Sequence, residues 1–292
     1  MSPSMKSLVA FGFRLAFLAH VPATIAKPSA GCGKEPTLST GIYNVTSNGK
    51  ERQYYVRPPE SYNKDHPYRL IFTYHQFGSS MQSIVDGEDL NAPLGGALPF
   101  FGLPPLANET AIFVVPDGLY RRWANTDGED VTFFDEMIAT VGDGLCVDEN
   151  LRFSTGFSFG GSMSFAIACA RPDVVRAIAV LSGAQLSGCE DDGKPLQVPY
   201  YGQHGTADAM LPIASGRQLR DRFVKLNGCT PLSEEPQPNG DESVMTQYEG
   251  CMEGYPVTWV VHGGGHSPSV MDGDSDVPFA PQNTWEFFTQ FT

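Results

Sequence analysis

The stretch Thr155-Gly156-Phe157-Ser158-Phe159-Gly160-Gly161 constrains this chain more than any other, because it commits the backbone to one sharp turn between a strand and a helix. Leu151-Arg152-Phe153 leads in as a short strand. Residues 162–170 carry small and apolar side chains at helical spacing until Pro172 ends the run, which predicts a buried helix behind the turn. A serine at such a corner tolerates only small neighbours, and Gly156 and Gly160 flank Ser158 on either side. The Gly-x-Ser-x-Gly turn thereby pushes the Ser158 hydroxyl out where a substrate can meet it.

The rest of the apolar pattern agrees with that corner. Residues 68–74, 111–115, 177–181, 198–203 and 256–261 are short apolar runs of the kind that form buried parallel strands. Between them, residues 132–141 place Phe133, Phe134, Met137, Ile138 and Val141 at helical spacing, and a second helix is expected from Ser215 as its cap to Asn227-Gly228 as its stop. A last helix is predicted at about 282–291. Strands alternating with helices imply right-handed crossovers and a mainly parallel central sheet flanked by helices, an α/β-hydrolase fold in a single domain. Residues 42–46 and 52–57 alternate around Asn48-Gly49 and predict a β-hairpin in front of it. Residues 87–108, rich in Gly, Pro, Leu and Phe without regular period, read as a long surface loop. No internal repeat and no Ser/Thr-rich linker is present, so a separate polysaccharide-binding module is not expected.

Charge and cysteines narrow the setting. A formal charge of −14 argues against nucleic acid or an anionic membrane as partner and favours a neutral substrate. Residues 1–26 carry Lys6, an apolar run and Thr24-Ile25-Ala26, and read as a secretory signal peptide; residues 27–292 form the α/β-hydrolase domain. No later run approaches the roughly 18 apolar residues that span a bilayer. An even set of six cysteines in an exported chain favours disulfides, and the absence of a Cys-x-x-Cys pair argues against zinc. Cys229 and Cys251 bracket the polar, proline-rich segment 231–248 and are the expected pair, and Cys32 is expected to tie the mature N-terminus to the body. Partners for Cys32, Cys146, Cys169 and Cys189 stay open. Asn44-Val45-Thr46 and Asn108-Glu109-Thr110 are glycosylation acceptors in a secreted chain. The protein is expected to be an extracellular monomer.

A serine hydroxyl is a weak nucleophile at neutral pH, so it needs a base in hydrogen-bond reach and an acid to orient that base. His266 follows Gly263-Gly264-Gly265, which lets the backbone bring its side chain close, and it comes after Asp208 in the order Ser, Asp, His. His262 is the rival base, but its place in or beside a strand suits packing better. Asp208 sits in the loop after the strand that follows the serine's neighbour. Asp117 and Asp135 precede the serine and break the order, while Asp191, Asp192, Asp272, Asp274 and Asp276 lie in polar runs that suit a solvated surface. The run from Asp272 to Asp276 lacks the central glycine and closing glutamate of a calcium loop, so no metal and no cofactor is expected. For the developing oxyanion, Phe159 N–H supplies one donor, and His75-Gln76-Phe77-Gly78 after an early strand supplies the other from Phe77 or Gln76.

Taken together, Thr155-Gly156-Phe157-Ser158-Phe159-Gly160-Gly161, His204-Gly205-Thr206-Ala207-Asp208, Gly264-Gly265-His266 and the mature start Gly31-Cys32-Gly33-Lys34 resemble the secreted fungal feruloyl esterases, of the polyhydroxybutyrate-depolymerase-like type in carbohydrate esterase family 1. The resemblance spans nearly the whole mature chain. It implies Ser158 as nucleophile, Asp208 as acid and His266 as base, and hydrolysis of ferulate and related hydroxycinnamates from arabinoxylan or its oligosaccharides. Members of that group often carry His-Gly-Cys or His-Gly-Gly where this chain has His75-Gln76-Phe77, so the second oxyanion donor stays open. The Phe77 ring can instead line an acyl pocket with Trp123, Phe159, Met210 or Leu211. An acetylxylan esterase or a polyester depolymerase would use the same machinery. A non-catalytic binding protein on the same fold would lack one of the three residues, and all three are present.

Overall fold

The computed structural model describes residues 25–90, 96–189, 197–240 and 242–292. The expected signal peptide, apart from its last two residues, and Asp191 and Asp192 lie outside them. The chain opens with the hairpin β1 (Gly41–Ser47) and β2 (Lys50–Arg57), turned at Asn48 and Gly49, which both take positive φ. It continues through β3 (Tyr68–Tyr74), α1 (Met81–Asp86), α2 (Leu103–Ala107), β4 (Ala111–Pro116), α3 (Glu129–Gly144), β5 (Val147–Phe157), α4 (Phe159–Ala170), β6 (Ala177–Leu181), β7 (Tyr200–Gly205), α5 (Ile213–Leu226), β8 (Ser243–Gln247), β9 (Val257–His262) and α6 (Phe279–Thr289). Among the described residues the strands form one nine-stranded sheet in the order β1-β2-β4-β3-β5-β6-β7-β9-β8. Pairing is parallel from β4 through to β9, and antiparallel where β1, β2 and β8 are added.

The continuous apolar strands follow from cover on both faces. Leu70, Phe72, Ile112, Val114, Ile178 and Val180 point to one core with Phe133, Phe134, Met163, Phe165, Leu219 and Phe223 from α3, α4 and α5. Their alternates Ile71, Phe113, Val115, Ala177, Ala179 and Leu181 point to a second core with Met81, Ile84, Leu103, Phe287 and Phe288 from α1, α2 and α6. Each large side chain so buried contributes about 1.5–3 kcal/mol, and with both faces apolar the alternating strand signature disappears.

Several expectations shift. Residues 87–108 are not a surface loop throughout: Ala97, Phe100, Phe101 and Leu103 are buried against the second core, and α2 lies inside the segment. Glycines and prolines break the period there without removing the burial. α5 begins at Ile213 with Pro212 as its cap, three residues before the expected cap Ser215. α3 extends the predicted helix at both ends, starting with Glu129 and Asp130, whose carboxylates suit the positive end of a helix. β8 falls within the segment read as a polar loop, and α1 was not signalled. Asp272 is not simply solvated: it accepts the Ser243 N–H and hydroxyl where β8 begins. The six cysteines pair as Cys32–Cys146, Cys169–Cys189 and Cys229–Cys251. Asn44 on β1 and Asn108 after α2 are both exposed.

Candidate active site

β5 runs through the centre of the sheet and ends at Phe157, and α4 starts at Phe159, so Ser158 is the whole of the turn. It is held at φ 57° and ψ −118°, a conformation that costs roughly 1–3 kcal/mol in a non-glycine residue. Neighbouring contacts maintain it. The Ser158 N–H donates to Leu181 O at 2.8 Å, and its carbonyl accepts the Ser162 N–H at 3.0 Å. A Cβ on Gly156 would lie 2.8 Å from Tyr74 O, and one on Gly160 would overlap Tyr74 O and sit 2.7 Å from His75 O. The helix must approach β3 that closely for the serine to project, which leaves room only for glycine. As the first residue of α4, Phe159 has no intrahelical acceptor for its N–H.

The other groups arrive from distant parts of the chain. His266, 108 residues from the serine, places Nε2 2.8 Å from Ser158 Oγ and Nδ1 2.6 Å from Asp208 Oδ2. A carboxylate only accepts, so Nδ1 carries the proton and the Nε2 lone pair faces the hydroxyl. The imidazole packs 4.6 Å from the Phe157 ring. Asp208 has no exposed side-chain surface, and burial by itself would raise its carboxyl. Hydrogen bonds from His204, His266 and the Leu211 N–H outweigh that and hold it at about 2. The Asp208 carboxylate therefore stays ionised in a dry place, the state that a base-orienting group would need.

On the opposite side, His75-Gln76-Phe77 follows β3 and faces the turn, with the Phe77 and Phe159 rings 6.3 Å apart. The loop is pinned through His75. Its Nε2 accepts the Gly118 N–H at 2.9 Å, which puts the proton on Nδ1, and Nδ1 donates to Gln76 O at 2.8 Å. Burial lowers its pKa and keeps it neutral. The Gln76 side chain donates to Glu88 at 2.6 Å, and Gly78 N–H donates to Arg121 O at 2.8 Å. His75, read as the first residue of the oxyanion loop, is thus its anchor; no local signal marks that role, since Gly118 is 43 residues away.

The structure brings together Ser158, Asp208, His266, Phe159, Phe77, Gln76, Met210 and Leu211. Met210 and Leu211 direct their N–H groups at Asp208 Oδ1, at 2.9 and 2.8 Å, and the Met210 side chain is open to solvent. Trp123 is a correction. It has no exposed surface and lines no open pocket, because its indole N–H donates to His75 O at 2.8 Å and its ring packs against Tyr74 and His75. His262 is buried at the end of β9 and touches neither Ser158 nor a hydrogen-bond partner, its pKa lowered to about 4 by burial. A cavity of about 490 Å³ lined by Glu149, Asp173, Arg176 and Tyr255 lies at the N-terminal ends of the strands. In open α/β sheets ligands bind at the carboxyl ends, where the Ser158 group sits.

No family model matches the chain. Feruloyl esterase D of Neurospora crassa is 57% identical over 283 residues, covering 96% of each chain. Feruloyl esterase C of Emericella nidulans is 42% identical over 275 residues, covering 94% of this chain and 95% of its own. Among solved structures, the acetyl xylan esterase from Aspergillus awamori superposes with a TM-score of 0.61 at 15% identity, over 85% of this chain and 99% of its own, a likeness of fold. With such identity running the length of both relatives, this chain belongs to the fungal feruloyl esterases.

Proposed function

We propose that the protein is a secreted serine esterase that releases ferulate and related hydroxycinnamates from plant cell-wall arabinoxylan or its oligosaccharides. The observation that carries this reading is the continuous hydrogen-bonded chain Ser158–His266–Asp208 at the strand-to-helix turn, in a chain 57% identical to a feruloyl esterase. Ser158 Oγ attacks the ester carbonyl and passes its proton to His266 Nε2, while Asp208 stabilises the imidazolium that results. Negative charge develops on the former carbonyl oxygen, which Phe159 N–H and a second N–H from Phe77 or Gln76 receive. Collapse expels the sugar alkoxide, which takes the proton from His266. A water then attacks the acyl-enzyme, giving its proton to His266, and ferulate leaves as Ser158 recovers its hydrogen.

The supporting features extend outward from the site. Phe77, 66% exposed and packed near Phe159, and Met210, 60% exposed on the loop that carries Asp208, offer apolar surface for an aromatic acyl group. The acidic chain suits a neutral polysaccharide better than a polyanion. Residues 1–26 act as the export signal, the exposed Asn44 and Asn108 carry glycans, and the enzyme works as a monomer. The test is a side-by-side assay of feruloylated arabinoxylan oligosaccharides, acetylated xylan and 3-hydroxybutyrate esters. Feruloyl esters are expected to be hydrolysed fastest, and Ser158→Ala to lower the rate by roughly 10⁴- to 10⁶-fold. Parental rates in the Ser158→Ala variant, or faster cleavage of acetyl or hydroxybutyrate esters, would overturn the reading.

A further inference from the structure

Asp208 is surrounded by more donors than a base-orienting acid needs. Its Oδ1 takes the Met210 and Leu211 N–H groups, and its Oδ2 takes both His266 Nδ1 at 2.6 Å and His204 Nε2 at 3.2 Å. His204 itself has no exposed side-chain surface. Its Nε2 also lies 2.8 Å from Leu211 O. Both neighbours of that nitrogen are oxygens that can only accept, so Nε2 bears the proton and divides it between them. On the far side of the ring, Nδ1 has no protein partner and faces Gly216, where an added Cβ would overlap it. The ring therefore points Nε2–H at the loop that carries Asp208 and is wedged between that loop and α5.

We infer that His204 is a positioning residue for the reaction: its Nε2–H ties Leu211 O and Asp208 Oδ2 together, so that the carboxylate presents its remaining lone pair to His266. This rests on Asp208 being the acid of the proposed triad. Two imidazoles share one carboxylate oxygen, and they do different work. His266 exchanges protons with substrate, whereas His204 is closed off from solvent and substrate alike. A lysine or arginine there would neutralise Asp208, while a hydroxyl on a short side chain would not span to both acceptors. An N–H at the end of a planar ring reaches both acceptors at once. The titratable groups facing this pair are His262 from the end of β9 and His266, with Asp272 acting through His262; Trp259, whose ring centroid is 6.4 Å from that of His204, has its own N–H taken by Glu235.

Removing the donor leaves Leu211 O unpaired and Asp208 Oδ2 to His266 alone, which makes the carboxylate a stronger acceptor for Nδ1–H. The test compares His204→Leu, His204→Gln and Asp208→Asn with the parent, using methyl ferulate, full pH profiles and thermal melts. His204→Leu is expected to lower kcat roughly 10- to 100-fold, the scale of one hydrogen bond to a charged group, with KM nearly unchanged. The acidic limb of its kcat/KM profile is expected to move up by about half a pH unit or more. His204→Gln, which restores an N–H at the same reach, should recover most of kcat and return the limb to its place. If His204→Leu keeps the parental kcat and profile, or if both His204 variants lose activity together with no movement of the limb, the inference fails. Should Asp208→Asn remain active, the triad reading falls first. An inactive Asp208→Asn beside an unaffected His204→Leu sinks this inference alone.

Discussion

Ser158, His266 and Asp208 are joined by contacts of 2.8 and 2.6 Å, yet the two sides of the site are held by different forces. On the serine side, one turn is locked by backbone packed on backbone: Gly156 and Gly160 lie so near Tyr74 O and each other that no side chain fits. On the acid–base side, the loops after β7 and β9 meet through charge and shared protons, with Asp208 receiving two N–H groups and two imidazoles. The first arrangement is intolerant of volume and the second of altered protonation. A site divided in this way responds to mutation and to pH through separate channels.

The largest expected effect tests the acid side. Asp208→Asn keeps the shape but presents an amide where His266 needs an anion, and activity on feruloyl esters should fall about 10⁴-fold. Circular dichroism and thermal melts should show the fold intact; a loss of folding in proportion to activity would break the comparison. Next, Gly160→Ala would drive a methyl into Tyr74 O. Denaturant unfolding should show a loss near or above about 3 kcal/mol, the upper end of overpacking costs. Parental stability in that variant would mean that volume does not govern the serine side.

A smaller effect belongs to pH. His262, neutral and buried with a pKa of about 4 against an ordinary 6.5, binds fewer protons folded than unfolded between those values. Its contribution to stability is full above about pH 6.5 and declines as pH falls toward 4, by up to about 3 kcal/mol. Asp208, held at about 2, contributes in a lower window, losing its share only as pH falls from the ordinary carboxylate range to 2. His262→Leu should flatten unfolding free energy between pH 6.5 and 4 without altering the decline below it; an unchanged slope would show that the histidine does not report on this side. Smallest is Phe77→Ala. Its ring packs 6.3 Å from Phe159, and the preference for feruloyl over acetyl esters should drop roughly 2- to 10-fold, the worth of one aromatic contact. An unchanged ratio would remove Phe77 from the acyl pocket.

Much of the architecture was legible because its cause is local. The five apolar runs became β3, β4, β6, β7 and β9, and Asn48-Gly49 turned the hairpin as expected. What stayed hidden depended on partners elsewhere. β8 gains strand structure from pairing with β9, not from its own mixed sequence. Phe100 and Phe101 are buried although their backbone has left-handed dihedrals and no period to detect. Trp123 looked like a pocket aromatic, but a buried indole N–H needs an acceptor, and His75 O supplied one inside the protein.

By itself the sequence determined the turn at Ser158, the parallel sheet that presents it, and the order in which Asp208 and His266 follow. Those depend on glycine spacing and apolar period, which act over a few residues. Only the tertiary structure distributed the histidines. His75, His204, His262 and His266 all lie at the carboxyl ends of strands or in the loops just beyond; the Gly263-Gly264-Gly265 run marks His266, but nothing in the immediate neighbours of His75 or His204 says what those two rings hold. Burial and the partners that each ring nitrogen meets decide it, and those partners come from residues up to 108 positions away.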